Sequence, residues 1–222
     1  QGPRLANMLQ STAAASERVF EFLEEEEEEQ TVPNPVSTEG LQGNVQFDHV
    51  HFGYNPDRII INDFSANVKE GQKIAIVGPT GAGKTTMLRD IVRQLSYKSY
   101  RVSVVDERSE IAALCEGRSA FDLGFSTDVL EGVDKAEGML MVLRSMSPDV
   151  IVTDEIGKQS DIDAIERITN SGAGVIATIH GRNIDMIKRR DDLKRMLKFF
   201  DLIITLSKRK GIGTVEEALT EW

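Results

Sequence analysis

Gly78-Pro79-Thr80-Gly81-Ala82-Gly83-Lys84-Thr85 is the stretch on which the fold turns. It satisfies G-x-x-x-x-G-K-T in full, with three glycines that let a loop wrap so that successive N–H groups face a phosphate. An apolar run, Lys73-Ile74-Ala75-Ile76-Val77, leads into it and a helical pattern follows. Strand, glycine-rich loop and helix N-terminus together make an anion site, because the free N–H groups and the helix dipole both favour negative charge. The pattern assigns Lys84 to the β- and γ-phosphates and the Thr85 hydroxyl to Mg²⁺, with Gly78, Pro79, Thr80, Gly81, Ala82, Gly83, Lys84, Thr85 and Thr86 lining the nucleotide.

Beyond Thr85, helical and strand patterns alternate. Strands are expected at 101–106, 149–154, 174–179 and 201–206, and helices at 85–96, 135–146, 160–171 and 183–198. Such alternation predicts a mainly parallel sheet flanked by helices, an α/β P-loop NTPase. Ahead of the loop, residues 44–77 read as β structure, giving an antiparallel portion on the N-terminal side. Val45, Phe47, Val50 and Phe52 change alternation phase, which predicts a bulge, and Asn55-Pro56-Asp57 and Glu70-Gly71-Gln72 mark turns.

Residues 1–30 read as a helix that carries the acidic run Glu24 to Glu29, and 31–43 as a linker around Pro33-Asn34-Pro35. The P-loop domain is then 44–222. The start at Gln1-Gly2-Pro3, with no initiator methionine, suggests a processed or truncated product.

The charge is unevenly placed. Of a net −10, residues 1–85 hold 6 Lys/Arg against 13 Asp/Glu, and residues 86–222 hold 20 against 23. That balance argues against a nucleic-acid partner, which calls for a basic face. Lys188-Arg189-Arg190, followed by Asp191-Asp192, reads as a solvated helix surface. Apolar runs such as Val150-Ile151-Val152 are far too short to cross a bilayer, and a single cysteine, Cys115, suits a cytoplasmic, reducing setting.

Several side chains are candidates for the chemistry. Asp149-Val150-Ile151-Val152-Thr153-Asp154-Glu155 is an apolar strand ending in paired acids. This fits a metal-organising Asp154 and a Glu155 that polarises the attacking water. Val104-Val105-Asp106-Glu107-Arg108-Ser109-Glu110 is a second acidic strand end, and Glu107 is a rival for the same role. His180, at the end of 174–179, is placed to sense the γ-phosphate. Arg108, Arg118 and Arg144 are arginine-finger candidates whose bland reading is a surface ion pair. Tyr54 offers an aromatic face for adenine.

Two resemblances divide at the loop. Leu9-Gln10-Ser11-Thr12-Ala13-Ala14-Ala15-Ser16-Glu17-Arg18-Val19-Phe20 and Val45-Gln46-Phe47-Asp48-His49-Val50-His51-Phe52-Gly53-Tyr54 resemble the end of an ABC exporter's last transmembrane helix and the first strand of its nucleotide-binding domain. That resemblance places the family's adenine-stacking aromatic on Tyr54. The family's Q-loop glutamine and L-S-G-G-Q signature are not found in the sequence, so its head-to-tail dimer hydrolysis is not implied. From about residue 78 onward, the chain resembles the stage III sporulation protein AA family, RecA-like ATPases related to secretion motors. The resemblance rests on Leu88-Arg89-Asp90-Ile91-Val92-Arg93-Gln94-Leu95, Val105 to Ala112, Lys135-Ala136-Glu137-Gly138-Met139, Arg144 to Val152 and Ala177-Thr178-Ile179-His180-Gly181. It implies that an acidic box, Asp106 and Glu107 here, helps position the catalytic water.

Together these imply an engineered chimera of two P-loop ATPases, 44–86 from one and 87–222 from the other. Its expected ligands are ATP or ADP with Mg²⁺, bound with slow hydrolysis or as a scaffold without turnover, or within a transport or sporulation assembly. Membrane insertion by this chain is not expected, and any oligomer would lack the assembly elements of both parents.

Overall fold

The computed structural model describes residues 45–52, 61–69 and 71–220, together with Ser16 and Phe20, which are helical. The rest of the expected N-terminal helix, the expected linker, Tyr54 and the turn expected at Asn55-Pro56-Asp57 lie outside the described residues.

Strand β3 (Lys73–Gly78) carries the apolar run into the loop. Successive side chains of a strand point to opposite faces, so a run apolar at every position is stable only in a sheet covered on both sides. Ile74, Ala75, Ile76 and Val77 are all buried. On one face Ile74 and Ile76 pack with Met87, Leu88, Ile91 and Val92 of α1 (Lys84–Tyr97). On the other, Ala75 and Val77 join the apolar sides of α2 (Lys135–Ser145) and α3 (Gln159–Ser171). Each such aliphatic side chain contributes about 1.5–3 kcal/mol when taken fully out of water.

The remaining strands are β1 (Val45–Phe52), β2 (Ile61–Val68), β4 (Val102–Asp106), β5 (Thr127–Glu131), β6 (Val150–Thr153), β7 (Gly174–His180), β8 (Leu202–Ser207) and β9 (Thr214–Leu219). The main sheet has the order β5-β4-β6-β7-β3-β8-β9. All neighbours in it are parallel except β8 and β9. β1 and β2 form a separate antiparallel pair whose register shifts between Phe47 and Val50, the bulge expected from the alternation. Phe47 joins the α1 side of the core. All these strands belong to one compact unit, Leu41–Trp222. Among the described residues no helix is long and apolar enough to cross a membrane.

Three features differ from expectation. The helix expected over 183–198 is two, α4 (Ile184–Lys188) and α5 (Asp191–Leu197). Arg190 is extended between them, so Lys188-Arg189-Arg190 is a helix junction rather than a continuous helical surface. Acidic residues favour a helix N-terminus, and Asp191 opens the second helix where the first would have continued. Strands β5 and β9 were not anticipated. Both are edge strands with partly exposed residues, and Glu216-Glu217 interrupts the apolar alternation of β9.

The starts of β4 and β6 are tied together by Asp149. Its carboxylate accepts from the Arg101 N–H at 2.8 Å and from the guanidinium at 2.7 Å. The Arg101 hydrogen bond holds this carboxyl below its ordinary value of 3.8. The folded value is thus the lower one. The contribution is complete above the unfolded value and fades as acidification passes through the depressed value. With both groups substantially solvated, Asp149→Asn is expected to cost about 0.5–1 kcal/mol at pH 7 and less at pH ~3. Urea titrations at the two pH values check this, and a pH-independent difference would refute it.

Candidate nucleotide and magnesium site

The strand order decides what meets the loop. β7 lies between β3 and β6, and β4 lies beyond β6, so four consecutive carboxyl ends carry the loop, His180, Asp154-Glu155 and Asp106-Glu107 in that sequence. In open parallel sheets this edge is where ligands sit.

Gly83 caps α1 with φ 93°, a left-handed value that a β-carbon would strain. A β-carbon there would also stand 3.2 Å from the Gly213 nitrogen. The Lys84 ammonium donates to the carbonyl oxygens of Gly78 at 2.7 Å and Pro79 at 3.2 Å, so it is folded onto its own loop. Burial lowers its pKa from 10.5, opposed by the charges of Glu155 and Glu110. Thr85 and Thr86 are half-buried in the first turn, and Thr80 and Gly81 are exposed.

Asp154 is 2% exposed. Its Oδ1 accepts from Lys135 Nζ at 3.1 Å, whereas Oδ2 has no hydrogen-bond partner. A buried carboxylate oxygen without a donor is costly unless a cation or water satisfies it. That oxygen, just past the end of β6, and the Thr85 hydroxyl at the helix start are the hard oxygen donors Mg²⁺ prefers. The residues present therefore fit the ion.

Glu155 adopts φ 32°, unusual for a residue with a side chain. Its N–H donates to the buried Thr178 hydroxyl at 2.7 Å, which fixes this bend to β7. The Glu155 carboxylate accepts from Arg108 at 3.0 Å and stands 4.0 Å from His180 Nδ1. His180 is itself paired in register with Gly78. A cleft of about 280 Å³ beside the loop is lined by Pro79, His180, Gly181, Arg182 and Arg190, among others.

The two acids proposed for water activation are in different surroundings. Glu107 stands 3.5 Å from Lys135 and 3.9 Å from Lys158. Glu155, with Glu110, is the carboxylate whose field reaches Lys84. Asp106, fully buried, accepts from the N–H groups of Glu110, Ile111 and Ala112 at 2.8–2.9 Å. It therefore organises the chain after β4. Of the finger candidates, Arg108 joins the site, Arg144 donates to the Leu140 carbonyl of its own helix, and Arg118 is exposed and bridged to Cys115.

Two contributors were not anticipated. Lys135, 3% exposed, donates to the Asp154 carbonyl at 2.7 Å and the Glu155 carbonyl at 3.2 Å as well as to the Asp154 carboxylate. Asp134, which caps α2 by accepting from the Ala136 and Glu137 N–H groups, fixes the helix start that presents it. The second is the loop joining β8 and β9, whose Gly213 N–H donates to the Ala82 carbonyl at 2.9 Å.

With this geometry established, the likenesses to known proteins are specific. The pattern of the family Sporulation stage III, protein AA matches residues 44–221. The chain belongs to that family. Stage III sporulation protein AA of Bacillus subtilis is 42% identical over 149 residues, 64% of this chain and 48% of its own length. The fatty acid ABC transporter ATP-binding/permease protein of Mycobacterium bovis is 33% identical over 169 residues, 74% of this chain and 25% of its own. The chain thus spans about half the sporulation relative and a quarter of the transporter. A nucleotide-free ATP-binding cassette from an ABC transporter shares the fold, with a TM-score of 0.52 at 11% identity, over 82% of this chain and 92% of that one. The sporulation family match starts at residue 44, so it includes the front strands as well as the part beyond the loop. The fold is that of the P-loop ATPases, and the relatives support nucleotide binding.

Proposed function

We propose that this member of the sporulation stage III protein AA family binds MgATP at Gly78–Thr85 and hydrolyses it slowly. The observation that carries the reading is the meeting of Lys84, Asp154 and Glu155 at one sheet edge. A phosphate chain would take the Lys84 ammonium from the Gly78 and Pro79 carbonyls, and the loop N–H groups would surround the β-phosphate. Thr85 and the Asp154 Oδ2 side would hold Mg²⁺, whose contribution is to neutralise charge on the phosphate oxygens. Glu155 would orient the attacking water, with Thr178 fixing its backbone and His180 beside it. Glu107 is the weaker candidate, being engaged by Lys135 and Lys158. ADP is the product ligand.

Isothermal titration of MgATP tests this. Lys84→Ala is expected to weaken binding by about 30- to 100-fold, the loss of a charge-assisted contact to phosphate. Equal affinities would sink the reading.

A second reading is binding without turnover. One observation favours it: the Glu155 carboxylate is taken up by Arg108. Steady-state phosphate release separates the two, since the scaffold gives ATP binding with no phosphate above background. We also infer that 44–86 and 87–222 descend from different P-loop parents joined at the loop. The 33% transporter identity beside the sporulation family match supports this, although both matches run through both parts. A role in transport or sporulation would belong to a larger assembly.

A further inference from the structure

β8 runs parallel to β3 in direct register, so the chain leaves its carboxyl end beside the P-loop and returns as β9. The connecting hairpin is docked on the loop. The Gly213 N–H donates to the Ala82 carbonyl, and a β-carbon on Gly83 would meet Ile212 Cγ2 at 3.2 Å. Within the hairpin, Ser207 and Arg209 both engage Glu216, Arg209 through three contacts of 2.8, 2.9 and 3.2 Å. Lys208 lies across the loop, and its Nζ would stand 2.7 Å from a β-carbon on Gly81, with Cε at 3.1 Å.

Among the described residues, no hydrogen bond or ion pair is formed by the Lys208 ammonium. It stands beside a loop that already carries Lys84 and ends in the positive terminus of a helix. Crowding like charges this way is unfavourable until a polyanion is shared between them.

We propose that Lys208 is a second phosphate-binding cation, presented in cis by the β8–β9 hairpin to the phosphate chain of a nucleoside di- or triphosphate. The assignment rests on the reading of Gly78–Thr85 as a nucleotide site. Gly81, open and with φ 74°, leaves the ammonium a path over the loop that a β-carbon would block.

Titration calorimetry on the full 222-residue chain, with MgATP and MgADP, tests it. Lys208→Met is expected to weaken both nucleotides about tenfold, and Lys208→Arg to stay within about threefold of the wild type. Lys210→Met removes a neighbouring cation of the same hairpin and is expected to change affinity by about twofold or less. Wild-type affinity in Lys208→Met would overturn the assignment. So would an equal loss in Lys210→Met, because the effect would then be the hairpin's net charge. If the wild type bound neither nucleotide, the nucleotide-site reading itself would fall, and Lys208 with it.

Discussion

Replacing Lys135 by methionine is expected to lower the unfolding free energy by about 3–5 kcal/mol, the range for removing one partner of a buried ion pair. Lys135 is 3% exposed and stands between two carboxylates, Asp154 at 3.1 Å and Glu107 at 3.5 Å. It also satisfies the carbonyl oxygens of Asp154 and Glu155. Methionine fills similar space but donates nothing, so the buried Asp154 charge and two carbonyls would lose a donor together. Urea unfolding of both proteins at pH 7 measures the difference, and a change under about 1 kcal/mol would show that solvent replaces the lysine readily. Because Lys135 also sets the Asp154 carboxylate, a shift in the Mg²⁺ concentration needed for nucleotide binding is expected in the same variant.

The second large effect is on turnover. Glu155→Gln is expected to reduce steady-state phosphate release by about 10²- to 10⁴-fold, the usual contribution of a positioned acid–base group. MgATP binding should remain, since Gln keeps the shape and Lys84 is unchanged. The side chain is 41% exposed and its partner Arg108 59%, so stability should change by less than about 1 kcal/mol. Glu107→Gln, by contrast, should leave most of the turnover. Equal losses in the two variants would mean the acids act as a unit, and loss only in Glu107→Gln would reverse their roles.

The P-loop, the strand before it, the alternation after it and the acidic end of β6 were all legible in the residues. Each is a local pattern: glycine spacing, apolar runs of strand length, periodicity of helices. The same locality explains what was missed. β5 and β9 lie at sheet edges, where half-exposed residues blur the apolar signal. The break at Arg189-Arg190 left a helix-like composition intact while the chain started a second helix at Asp191. Nothing about Lys135 distinguishes it from a surface lysine until β4, β6 and α2 close around it. Asp106 reads as a second candidate acid until three backbone N–H groups are found on its carboxylate.

The sequence by itself determined that a glycine-rich loop opens a helix after a buried strand, and that paired acids end a later one. Those features depend on residues next to each other along the chain. Which acid's field reaches Lys84, and which cations stand near the loop, were decided only by the tertiary structure. The order β4-β6-β7-β3-β8 sets Glu155 within the field of Lys84 and leaves Glu107 with Lys135 and Lys158. It also brings Lys208, more than a hundred residues after the loop, back onto Gly81. Electrostatic roles depend on separation in space, and strand order converts sequence position into that separation.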